Sequence, residues 1–188
     1  MKLLLAYARE RLTPGRVLPA VLLVVAATFA GGGWPGQAGA ARIVVLALAL
    51  VITFRIYDDI MDRERDRMKH PGRVIVRASS IAPLRLIAIV IGAAALMTVE
   101  RTGTAAAVLL GLYLAALAAS YALRDRRSAA TDRILLLKYG VFTLALIGLP
   151  AALSPRGLLS AAAAFLIACI YEWWHDPESP VLSFGGSR

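Results

Sequence analysis

This 188-residue chain is poor in cysteine, histidine and charge. Its one cysteine, Cys169, cannot close an intrachain disulfide, and its place in an apolar stretch is that of a small packing residue. Two histidines, His70 and His175, lack a third ligand at metal spacing and are not a zinc site. Charged residues make up 18% of the chain and hydrophobic ones 59%, with a mean hydropathy of +0.69. A soluble globular domain has fewer apolar and more charged residues, so the composition is that of an integral membrane protein.

What is present instead is apolar run length. Six stretches approach or reach the roughly 20 helical residues needed to cross a bilayer: 17–34, 42–57, 82–99, 103–123, 134–153 and 157–174. The expected fold is all-α, a polytopic bundle of about six transmembrane helices forming one domain over residues 1–188. Residues 1–16 mix Leu3, Leu4, Leu5 and Tyr7 with Lys2, Arg9 and Arg11, the pattern of a short interfacial helix. Residues 58–81 form a charged connection, and 175–188 a short tail.

The net charge of +9 does not point to nucleic acid, because topology accounts for it. Of 21 Lys and Arg, only Arg42, Arg101 and Arg156 fall on one side of the six spans. The excess on the other side is the positive-inside pattern, which places both termini and the charged connection in the cytoplasm. The expected location is a prokaryotic cytoplasmic membrane, crossed several times.

The most informative segment is RIYDDIMDRERDRMKHPGRVIVR, residues 55–77, with five acidic and eight basic side chains counting His70. Such density at the mouth of a membrane span is costly and points to function. On a helix, Asp59, Asp62 and Asp66 share one face. Carboxylates so placed suit Mg²⁺, which takes oxygen ligands and usually binds through one or two carboxylates plus substrate phosphates. Arg63, Arg67, Lys69, Arg73 and Arg77 are donors suited to phosphate oxygens. Lys138, about one turn inside the fifth stretch, must snorkel or meet a carboxylate.

A second acidic pair echoes the first. Ile56-Tyr57-Asp58 followed by Asp62 recurs as Ile170-Tyr171-Glu172 followed by Asp176. The two segments leave the membrane on the same side and could face each other across a cavity, as in repeat-built membrane sites. Tyr57, Tyr121, Tyr171, Trp173 and Trp174 near that side suit either an interfacial aromatic belt or cation stabilisation.

Asp58-Asp59-x-x-Asp62-x-x-x-Asp66, followed by His70-Pro71-x-Arg73, resembles the first aspartate-rich motif of the UbiA superfamily of intramembrane prenyltransferases. Glu172-x-x-x-Asp176 is similar to that family's second motif, with Glu for the first Asp. Asp58 stands where the family has Asn, and Val74 where it has Pro. The resemblance covers nearly all of this chain but only about six of the family's usual nine helices.

The resemblance implies a Mg²⁺-dependent transfer of a prenyl group from an isoprenyl diphosphate to a small, aromatic-type acceptor. Asp58, Asp59, Asp62, Asp66, Glu172 and Asp176 would hold the metal. Asp59, Asp62, Tyr121, Glu172 and Asp176 would be catalytic, and Arg63, Lys69, Arg73, Arg77, Arg124 and Lys138 would hold the diphosphate. Alternatives are a terpene cyclase of the same family and a non-catalytic accessory subunit binding a prenyl lipid or a partner. A CDP-alcohol phosphotransferase is a further alternative, disfavoured because its Asp-Gly motif is absent. With six helices, a second copy or a partner subunit could close the cavity.

Overall fold

A computed structural model describes residues 2–100, 103–122, 128–176 and 179–182, and among these all regular structure is helical. The helices are α1 (Lys2–Arg11), α2 (Pro14–Gly32), α3 (Gly36–Met61), α4 (Arg63–Lys69), α5 (Val74–Arg77), α6 (Ala82–Glu100), α7 (Thr104–Ala122), α8 (Ala129–Leu136), α9 (Lys138–Ile147) and α10 (Pro155–His175). Five of them, α2, α3, α6, α7 and α10, are long and apolar enough to cross a membrane. This is the core of a helical membrane bundle.

The fifth apolar stretch differs from the single span expected over 134–153. It is divided at Leu137 into α8 and α9, each too short to cross alone. Ser128 begins α8 with a capping box to Thr131. At the division the Tyr113 hydroxyl donates to the Ile134 carbonyl at 2.7 Å and approaches that of Leu135 at 3.3 Å. A side-chain donor thus replaces the backbone partner that a continuous helix would supply, and in an apolar interior such replacement is required. Gly148, with φ of 75°, closes α9 in a conformation that favours glycine.

The elements have a charged end, where Asp58, Lys138 and Glu172 lie together, and an opposite end. At the opposite end Arg42 donates to the Thr98 carbonyl at 2.6 Å and Arg156 to that of Ala30. The segment α8–α9 runs from the first to the second, finishing beside Gly31 and Gly32. Helix α9 is the bundle's buried centre: Gly140, Val141, Phe142, Thr143, Ala145 and Leu146 are all buried. Around it, Phe54 meets Phe142 edge-on at 4.8 Å and stacks on Tyr113 at 6.0 Å. Cys169 is buried in α10, as a packing residue should be.

Small residues allow this closeness, the usual means of helix association in lipid. A methyl group on Gly140 would reach the Ala161 carbonyl oxygen at 3.0 Å. One on Gly157 would sit 2.5 Å from the Ala151 oxygen and 2.7 Å from that of Ala152. Both obstacles at Gly157 are backbone, so Gly157→Ala is expected to destabilise by about 1–3 kcal/mol. Thermal unfolding in detergent tests this; an unchanged midpoint would show that the turn before α10 yields freely.

Helix α1 is more than an interfacial segment. Tyr7 and Arg11, one turn apart, are both buried against α3, and Tyr7 packs with Ile56, Ile75 and Leu84. The Glu10 carboxylate accepts the Val74 backbone N–H at 2.9 Å, tying α1 to the connection that carries α5.

Candidate functional site

The charged end holds a cavity of about 500 Å³. Asp58, Asp59, Asp62 and Asp66 line it from α3, α4 and their junction, and Glu172 and Asp176 from the end of α10. The two Ile-Tyr-acid segments, more than a hundred residues apart, therefore share one cavity. Tyr121, Lys69, Arg73 and Lys138 line it as well. Helix α3 reaches the cavity because its run from Ile43 to Tyr57 carries no charge except Arg55 near its end, so the first carboxylates emerge at the last turn.

The carboxylates differ in their surroundings. Asp59, only 5% exposed, accepts hydrogen bonds from Tyr7 Oη at 2.7 Å, Arg11 Nε at 2.9 Å and Arg11 Nη2 at 2.6 Å. Arg55 Nε stands 3.7 Å from the same carboxylate. Burial first, then the Asp59 charge, pushes the Tyr7 phenol well above its ordinary range, so Tyr7 remains a donor. Asp58 accepts from Tyr121 Oη at 3.0 Å and from Lys138 Nζ. Asp66 accepts from Arg73. Lys138 thus resolves its buried position by meeting a carboxylate.

Two of the predicted phosphate donors, Arg63 and Arg77, do not line the cavity. Arg63 turns away from the cavity and donates to the Ile75 carbonyl at 2.9 Å and the Ala78 carbonyl at 2.6 Å, bracing the connection after α4. The carbonyls at and after α5 are its partners instead of phosphate oxygens. Arg77 is not among the cavity-lining residues. Arg124 lies outside the described residues. In their place the cavity has Arg11, Arg55 and Arg65, together with His70, Asp132 and Tyr139. Arg11 could have been suspected from Tyr7 four residues earlier; Asp132 carried no motif.

A second hollow, about 330 Å³ and almost wholly apolar, lies between α3, α6 and α7. Leu50, Phe54, Ile89, Leu96 and Leu110 are among its walls, and Tyr57 lines it on the α3 side. The Tyr57 ring meets Tyr121 edge-on at 5.6 Å, and Tyr121 lines the charged cavity. These two tyrosines therefore form the partition between an ionic compartment and an apolar one. Tyr171, Trp173 and Trp174 are exposed, and His175 stacks on Tyr171 at 4.9 Å.

No family model, curated protein or solved structure matches this chain. The functional reading therefore rests on the motif residues and on this geometry.

The donor set can be judged against Mg²⁺. Among the described residues no three His, Cys, Asp or Glu side chains converge as a metal cage. Asp58, Asp59 and Asp66 each meet a cation instead. An ion that needs only one or two carboxylates plus phosphate oxygens still fits as a companion of a diphosphate, with Asp62, Glu172 and Asp176 at the same cavity.

Proposed function

We propose that this chain binds an isoprenyl diphosphate, head group in the charged cavity and hydrocarbon in the apolar hollow, and transfers the prenyl group to a small acceptor. The observation that carries this reading is the tyrosine partition, with an ionic compartment on one side and an apolar one on the other. An amphiphile with a multiply charged head and a branched hydrocarbon tail is the ligand class such a pair accommodates. The resemblance of Asp58–Asp66 and Arg73 to the prenyltransferase motif supports the same substrate.

In this reading Lys69, Arg73 and Lys138 neutralise charge on the diphosphate as the allylic C–O bond breaks and the leaving group keeps the electron pair. The acceptor supplies the pair for the new bond and loses a proton. Mg²⁺ carried in with the diphosphate would add charge neutralisation at a cavity that Asp62, Glu172 and Asp176 also line. Tyr57 and Tyr121 present π faces where the allylic cation would form, and the hollow keeps water from it. The excess of Lys and Arg at this end supports a mouth that opens to the cytoplasm.

The ion pairing of Asp58, Asp59 and Asp66 favours a second reading, binding of the same lipid without turnover. Purified protein given farnesyl diphosphate, an acceptor mixture and Mg²⁺ separates the two. Turnover releases inorganic diphosphate, and Asp62→Ala is expected to reduce that release at least about 100-fold, the scale for removing a preorganised charge-stabilising group. Wild-type-like release by Asp62→Ala would overturn the site assignment; tight binding with no release would establish the second reading.

A further inference from the structure

Two of the cavity's carboxylates each meet one cation. Asp58 faces Lys138, and Asp66 faces Arg73. At Asp59, however, one carboxylate stands between two guanidiniums, Arg11 and Arg55. Arg11 takes both Asp59 oxygens, and Tyr7 occupies one of them further. Arg55 is left at 3.7 Å, beyond hydrogen-bonding distance, and its buried Nε has no hydrogen-bond partner. Its Nε thus has the Asp59 charge nearby without a hydrogen bond to it, so the group keeps donor capacity that an acceptor oxygen in the cavity can use.

Position adds to this. Arg55 lies on the last turns of α3, between Phe54 and Tyr57, which line the apolar hollow, and Asp58 and Asp59, which line the charged cavity. Its side chain is 38% exposed, against 11% for Arg11. Arg55 is therefore the accessible one of the two guanidiniums that share Asp59, at the boundary where a head group would join its tail.

We propose that Arg55 is a ligand for the phosphate-bearing head group, and that Asp59, fixed by Arg11 and Tyr7, is a positioning residue that holds the Arg55 guanidinium toward the cavity. The planar guanidinium offers two parallel N–H donors to phosphate oxygens, a fit that a lysine ammonium does not reproduce. This rests on the prenyl diphosphate reading for the identity of the tail, but the anion site itself does not.

Calorimetric titration of the full chain in detergent micelles, with Mg²⁺ present, tests it with farnesyl diphosphate, farnesol and inorganic diphosphate. Arg55→Gln is expected to weaken farnesyl diphosphate about 10- to 100-fold, the range for losing a hydrogen bond to a charged group, with farnesol binding unchanged. Arg55→Lys should fall between the two, since it keeps the charge without the fork. Unchanged farnesyl diphosphate affinity in Arg55→Gln, or an equal loss for farnesol, would overturn the proposal. Wild-type protein that ignores farnesyl diphosphate but binds inorganic diphosphate through Arg55 would overturn the prenyl reading and uphold the anion site. Displacement of farnesyl diphosphate by phosphatidylglycerol micelles, abolished in Arg55→Gln, would reassign the head group to a phospholipid and overturn the diphosphate assignment.

Discussion

Asp59→Ala is expected to destabilise the protein by about 3–5 kcal/mol, the cost of removing one partner from a buried charge pair. Three donors lose their acceptor at once: both Arg11 nitrogens and the Tyr7 hydroxyl. Arg11 and Tyr7 are buried, so water cannot readily replace the carboxylate, and two guanidiniums are left facing each other. Since these contacts hold α1 onto α3, the loss should appear first as release of the N-terminal helix. Thermal unfolding in detergent should show a midpoint lower by roughly 6–20 °C for a chain of this size. Limited proteolysis should cut before Pro14 in the variant and not in the wild type. A midpoint within a degree of wild type, with α1 still protected, would mean that the cluster is hydrated and contributes little.

The same residue shows how far sequence could be read. The spacing of Asp59, Asp62 and Asp66 after a long apolar run identified the charged cavity, and the repeated Ile-Tyr-acid segment located its opposite wall at Glu172 and Asp176. Both signals are local, because helical periodicity and run length are written in consecutive residues. Partner choice is not local. Arg11 and Asp59 are 48 positions apart and Lys138 and Asp58 are 80 apart, and no spacing rule connects them. Arg63 shows the converse: four residues from Asp59 on a helix would place the two together, yet the helix breaks at Asp62 and Arg63 turns to backbone carbonyls. The division at Leu137 was likewise hidden, since residues 134–153 read as one apolar run. What interrupts it is a hydroxyl from Tyr113, on a different helix.

That division bears on the second large effect. Lys138 begins α9 at the point where backbone bonding lapses, and its side chain, 10% exposed, reaches Asp58. Lys138→Ala leaves Asp58 with Tyr121 alone among its hydrogen-bond partners described above and should cost about 3–5 kcal/mol. The double replacement Asp58→Leu with Lys138→Met removes both charges while keeping comparable volume. Buried pairs exchanged for apolar residues in this way are often neutral or more stable by up to about 4 kcal/mol, so the double variant should recover the thermal stability that the single one loses. Under the proposed function it should not recover activity. Lys138 lies among the cations placed to meet a diphosphate, and Asp58 fixes Tyr121 at the partition. Diphosphate release from farnesyl diphosphate should remain near background in a double variant that unfolds like the wild type. A stable double variant with wild-type release would make the pair purely structural; a double variant as unstable as Lys138→Ala would show that the break at Leu137, rather than the ion pair, holds α9 in place.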